Sequence, residues 1–283
     1  MTEALYYEKI HGQRVHCHLC PYECLIAPGN KGACGVRQNV DGTLYSLVYG
    51  KTTGVSLDPI EKKPLYHFHP GEHILSLGTR GCNFHCDFCQ NWHTSQEPDG
   101  PMENITPLAV VQMAKVHRSF GIAYTYNEPF IWYEFVLDTA KLARQHCLKN
   151  VLVTNGFVNP APLEGMLPYI DAMNIDLKAF DEDFYIKICK GRLKPVLDVI
   201  KMSAKACRVE LTNLIIPTLN DSEGSIKKMV DWIYSNLGPD IPLHLSRYFP
   251  CYNMDLPATA VETLKMAERI AKEKLKHVYI GNV

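Results

Sequence analysis

No stretch of the chain approaches the roughly 18 consecutive apolar residues that a membrane helix requires. The opening "MTEALYYEKIHGQR" has neither the basic flank nor the apolar run of a secretory signal. We therefore expect a cytoplasmic protein with no membrane partner. A charge excess is missing too. The 29 Lys and Arg against 30 Asp and Glu leave a net charge of −1, which argues against a surface-wide polyanion-binding face, although a local basic patch keeps nucleic acid open as a partner. Long repeats and low-complexity tracts are absent. With 46% apolar and 21% charged residues over 283 positions, disordered and fibrous classes fall away and one large globular domain is affordable.

The most telling shortage is a ligand. "GCNFHCDFCQNW" (81–92) concentrates Cys82, Cys86 and Cys89 as C-x3-C-x2-C, yet the next cysteine is Cys147. In a reducing compartment such thiols are metal ligands more readily than disulfides. Three thiolates hold three irons of a [4Fe–4S] cluster and leave the fourth open. A closed zinc site completed by His85 or His93 is the competing reading. An earlier set, Cys17, Cys20, Cys24 and Cys34, has all four ligands (C-x2-C-x3-C-x9-C) and suits a structural zinc or a second Fe–S cluster, with free thiols as the alternative. The scattered Cys147, Cys189, Cys207 and Cys251 we expect to be small buried hydrophobes.

From residue 73 onward short β-branched runs alternate with segments of helical period. Strands are expected at 73–80, 121–126, 150–155, 172–178, 208–216 and 242–248, each apolar enough to be covered on both faces, which implies a parallel sheet. Helices are expected at 106–119, 130–147, 160–169, 193–205, 223–236 and 257–274. Ile226, Met229, Val230 and Ile233 trace one apolar stripe. Thr106, Asn159 and Ser222 suit N-caps. The pattern predicts an α/β fold, a partial (β/α)6 parallel barrel at 73–283 preceded by a small Cys-rich module at 1–72, with a doubly wound sheet as the alternative. Functional groups should gather at the carboxyl ends of the strands. "HVYIGNV" (277–283) reads as a seventh strand, and its ending at the last residue suggests a truncated chain.

The cysteine loop, with aromatic Phe88 before its last cysteine, resembles the cluster loop of the radical S-adenosylmethionine (SAM) enzymes. The resemblance runs from about residue 55 to the end and is strongest to pyruvate formate-lyase activating enzymes. "DPIEKKPLYHFHPG" (58–71), "CQNWHTSQ" (89–96) and "TYNEP" (125–129) further resemble the radical SAM member of the AmmeMemoRadiSam system. The resemblance implies an iron-binding oxidoreductase whose cluster at Cys82, Cys86 and Cys89 binds SAM and cleaves it reductively to a 5′-deoxyadenosyl radical. It also implies a low-potential electron donor, a flavodoxin or ferredoxin, and a substrate that is either a protein receiving a glycyl radical or a small molecule or nucleotide. A non-catalytic metal-binding protein is the reading from another class.

The same resemblance implies a SAM-binding set. Phe88 would lie beside the adenine, Glu128 would meet the SAM ammonium although Tyr126-Asn127 replace the family's glycines, and Thr154, Asn155, Asp176 and Lys178 would complete the shell. Asp176 and Lys178 are two residues apart, so alternation puts them on one strand face. Glu210, Thr212, His244 and Arg247 from the later strands are candidate substrate-side groups. For Tyr124 and Tyr126 core packing is the expected role.

Overall fold

A computed structural model describes residues 1–283. Its centre is an eight-stranded sheet. Seven strands run parallel: β9 (His73–Gly78), β11 (Gly121–Tyr124), β12 (Lys149–Thr154), β13 (Ala172–Asp176), β14 (Arg208–Ile215), β15 (Leu243–Arg247) and β16 (Val278–Gly281). An eighth, β8 (Gly54–Pro59), joins β9 antiparallel, so the order is β16-β15-β14-β13-β12-β11-β9-β8. Part of the N-terminal 72 residues is thus hydrogen-bonded into the large sheet. Almost every residue of β9, β11 and β13 is buried, as expected for strands covered on both faces.

The crossovers are helices α2 (Pro107–Val116), α3 (Tyr133–Gln145), α4 (Pro160–Met166), α6 (Leu193–Ser203), α7 (Glu223–Leu237) and α8 (Val261–Lys272). Two shorter helices, α1 (Trp92–Ser95) and α5 (Glu182–Phe184), had no periodic signal. The expected stripe of α7 is buried at all four positions. Thr106 and Ser222 cap α2 and α7 by accepting from Ala109 N and Ser225 N. Asn159 precedes α4 without capping it; its amide donates instead to His18 O at 2.8 Å. The segment expected as a helix from residue 130 opens as a 3-10 turn, Pro129–Trp132, before α3 begins. No helix is long and apolar enough to cross a membrane.

Two small antiparallel sheets precede the large one. One pairs β1 (Thr2–Glu3), β6 (Thr43–Ser46) and β5 (Arg37–Val40); the other pairs β2 (Tyr7–Ile10), β3 (Arg14–Cys17) and β4 (Cys24–Ile26). A short ribbon of β7 (Lys51–Thr52) and β10 (Glu103–Asn104) follows. Arg37 and Glu134, 1% and 5% exposed, form an ion pair that ties β5 to α3, and Leu5 N adds a 2.8 Å bond to the same carboxylate. Removing one partner of such a buried pair costs about 3–5 kcal/mol, because the other charge is left uncompensated.

All eleven cysteines are free. Cys189 is buried and Cys207 and Cys251 are partly so, but Cys147 is exposed. The reason is local: with φ of +58° it turns the chain out of α3 on the way to β12, so it cannot serve as the buried hydrophobe its type suggested.

Candidate active site

The carboxyl ends of the parallel strands open into a cleft of about 330 Å³. The loop after β9 forms one wall and carries Cys82, Cys86 and Cys89, all of which line the cleft. Gly81 enters the loop with φ of +89°, a conformation that L side chains rarely adopt. Backbone bonds then hold its shape. His85 N and Asp87 N donate to Cys189 O and Ile188 O, both at 3.1 Å, and Cys89 N to Cys86 O at 3.2 Å. Asn83 donates to Phe157 O at 2.7 Å. His85 is not available as a fourth ligand, since its ring nitrogens lie 2.7 Å from Gln96 Oε1 and 3.0 Å from Ala33 O.

Asn155, just past β12, reaches the loop directly. Its amide lies 3.7 Å from Cys82 Sγ and donates to Asn83 Oδ1 at 2.9 Å. Glu128, past β11, is 1% exposed. Its Oε1 accepts from Phe130 N at 2.9 Å and its Oε2 from Asn155 N at 2.8 Å, while the Thr154 hydroxyl sits 2.8 and 3.0 Å from the two. Burial pushes the Glu128 carboxyl up to about 7, against the pull of those hydrogen bonds. Asp176 closes β13 and accepts from Lys178 Nζ at 3.0 Å on Oδ2, with no other hydrogen bond. The Lys178 ammonium also stands 5.7 Å from the Phe88 ring centroid. Burial alone would lower the Lys178 pKa, but Asp176 and the nearby Cys86 hold it well above the ordinary value.

All nine residues expected to serve cluster and SAM therefore face one cleft. The expected substrate-side group divides. Thr212 lines the cleft and donates to Asn174 Oδ1 at 2.9 Å. Glu210 and His244 do not line it: they are buried against each other at 2.8 Å, and Glu210 accepts from Tyr66 N and His67 N at 3.0 and 2.7 Å. Burial would raise the Glu210 pKa, yet His244 and the two backbone donors hold it below the ordinary value. Arg247 also lies outside the cleft, its Nε on Thr259 O at 2.8 Å and its guanidinium over Phe249. Tyr124 is wholly buried, as expected of core, whereas Tyr126 borders the cleft.

Other cleft residues escaped notice. Lys63 is buried, donates to Asp58 at 2.8 Å and stands 4.7 Å over the Tyr126 ring, whose hydroxyl donates to the same carboxylate at 2.8 Å. The signal for it was the quoted run 58–71. Asn91 donates to Tyr126 O at 2.7 Å, and Trp92, which does not line the cleft, stacks on Tyr252 at 5.5 Å.

The profile of the radical SAM superfamily matches residues 76–233, from β9 into α7. That is more than half of the chain, and it contains all three loop cysteines. The chain belongs to the radical SAM superfamily. It is 46% identical over its whole length to an uncharacterized protein of Methanocaldococcus jannaschii, MJ0808, covering 86% of that protein. It is 24% identical over 69% of its length to the pyruvate formate-lyase-activating enzyme of Clostridium pasteurianum, 86% of which is covered. Among solved structures, a radical SAM methyltransferase from Sphaerobacter thermophilus superposes on 76% of this chain and 67% of its own at a TM-score of 0.59 and 16% identity, a likeness of fold. This radical SAM protein is thus an enzyme, and the superfamily's cofactors are a [4Fe–4S] cluster and SAM.

The donor set fits those cofactors. Three free thiols on one loop face a cleft that also offers an amide beside one sulfur, a carboxylate with an unengaged oxygen, and an ammonium beside an aromatic ring.

Proposed function

We propose that the protein reductively cleaves SAM and uses the resulting 5′-deoxyadenosyl radical to abstract hydrogen from a substrate, in the manner of a glycyl-radical enzyme activase. The observation that carries this reading is the convergence of the three-thiol loop with Asn155, Asp176 and Lys178 on one cleft. When bound, the cluster held by Cys82, Cys86 and Cys89 would supply the electron for that cleavage. The sheet serves as a partial barrel whose wall is the SAM site, in a cytoplasmic protein fed by a flavodoxin or ferredoxin.

The chain's own residues do the positioning. Phe88 offers a flat apolar face to the adenine, with Lys178 steering a carboxylate beside it. The two Glu128 oxygens already accept Phe130 N and Asn155 N and share the one Thr154 hydroxyl, three donors against the single one on Asp176. Glu128 is therefore assigned to fixing the β12 end, and Asp176, with Oδ1 unengaged, is the carboxylate offered to the SAM ammonium. Thr212 and Lys63 face the remaining space and so are assigned to the substrate.

Anaerobic reconstitution with iron, sulfide, SAM and dithionite should give 5′-deoxyadenosine. None above a Cys86→Ala control would sink the reading. The resemblance to the AmmeMemoRadiSam enzyme supports a second substrate class, a small molecule or nucleotide. Deuterium transfer decides: in deuterated buffer, the candidate whose mass changes in a SAM-dependent way is the substrate.

A further inference from the structure

The four N-terminal cysteines are brought to one end of one hairpin. Cys17 ends β3 and Cys24 begins β4, directly opposite each other in the antiparallel ladder. Cys20 lies in the turn between them, and Cys34 returns from the following loop, where a Cβ on Gly32 would sit 3.7 Å from Cys24 Sγ.

Two of the four sulfurs face an N–H group. Arg37 Nη1 is 3.6 Å from Cys17 Sγ and Ala33 N is 3.5 Å from Cys24 Sγ. A backbone N–H also faces a sulfur at the other cysteine loop, where Phe84 N is 3.3 Å from Cys82 Sγ. A neutral thiol is a weak acceptor with little to gain from such donors, whereas a thiolate gains from them. As thiolates, four cysteines gathered at one end of a hairpin would need a cation to balance their charge. The nearest guanidinium, Arg37, is already neutralised by Glu134.

We propose that Cys17, Cys20, Cys24 and Cys34 hold a second, closed metal centre, a four-thiolate site for a thiophilic metal that braces the SAM-cluster loop. With four protein ligands it has no open position and therefore no role in binding SAM or substrate. Its position supplies the bracing role. A Cβ placed on Gly81, the residue before Cys82, would lie 2.6 Å from Cys34 O, and His85 Nε2 bonds Ala33 O at 3.0 Å. Tyr22, between Cys20 and Cys24, packs edge-on against Phe157, which also packs against Phe84 of the cluster loop. Zinc and an iron–sulfur cluster share this ligand chemistry.

The test uses the full chain with Cys82→Ala, Cys86→Ala and Cys89→Ala combined, purified without oxygen. The expected result is metal retained at the second site: one zinc, or about four irons with matching sulfide, per chain. Either stoichiometry identifies the occupant and supports the proposal. A folded triple variant with neither metal overturns it. Because this variant lacks the SAM-cluster ligands, the outcome is independent of the proposed catalysis. A second measurement needs no change at the new site. Native alkylation of the triple variant, read by mass spectrometry, should leave the four cysteines unmodified until a chelator is added. Equal modification with and without chelator counts against the site. Cys20→Ser with Cys34→Ser should lose that metal and, after reconstitution of the cluster at Cys82, Cys86 and Cys89, weaken SAM binding severalfold. Unchanged affinity would overturn the bracing role.

Discussion

The hydroxyl of Thr154 bridges the two oxygens of Glu128 at 2.8 and 3.0 Å, joining the end of β12 to the residue that follows β11. The carboxylate thereby holds two neighbouring strand ends in register, and Asn155, next in the chain, is aimed at Cys82. Thr154→Val keeps the shape and removes this donor. A hydrogen bond to a charged group contributes about 1.5–3 kcal/mol, so denaturant unfolding above pH 7, where Glu128 is ionised, should show a loss of that order, while Thr154→Ser restores most of it. Equal stability of the Val and Ser variants would exclude the bridging role.

Glu128 also sets a pH dependence. Its pKa in the folded chain is raised by burial from the ordinary 4.5 to about 7, so folding favours the neutral carboxyl. That contribution is complete below about pH 4.5 and is lost as pH rises through about 7. Denaturant midpoints of the SAM-free protein should therefore fall between pH 5 and pH 8 by more than those of Glu128→Gln. Parallel pH profiles for the two proteins would contradict the assignment.

The cluster loop was legible because its signal is local: three thiols within eight residues declare themselves by spacing alone. The parallel sheet was legible for the same kind of reason, in apolar runs. What alternation could not give is depth along a strand. Glu210 and Thr212 share a face of β14, but Thr212 reaches the cleft while Glu210 is sealed by backbone N–H groups of Tyr66 and His67, some 143 residues earlier in the chain. Lys63 was missed because its place in the cleft is fixed by Asp58 on β8 and by Tyr126 beyond β11, a meeting that no periodicity records.

Glu210 and His244 should accordingly behave as structural residues. His244→Ala leaves the buried Glu210 carboxylate with one donor fewer, and a hydrogen bond to a charged group contributes about 1.5–3 kcal/mol. The melting temperature should drop, whereas 5′-deoxyadenosine formation per folded, cluster-loaded molecule should match the parent. A variant of unchanged stability with lost turnover would return His244 to the substrate side.

Asp176 and Glu128 make opposite predictions for SAM. Asp176 has one oxygen engaged by Lys178 and the other free, whereas both oxygens of Glu128 are engaged, by Phe130 N, Asn155 N and the Thr154 hydroxyl. Asp176→Asn removes the charge that would meet an ammonium, and at about 1.5–3 kcal/mol for a charged hydrogen bond this corresponds to a roughly 10- to 100-fold rise in the SAM dissociation constant. Lys178→Met should act in the same direction, since it removes the ammonium beside Phe88 that would engage the SAM carboxylate. Glu128→Gln should change SAM affinity less than either while lowering stability above pH 7 less than Thr154→Val does, because the amide oxygen keeps part of the acceptor set. Isothermal titration of the three reconstituted variants gives the order directly. If Glu128→Gln weakened SAM most, the free oxygen of Asp176 would not be the ammonium site.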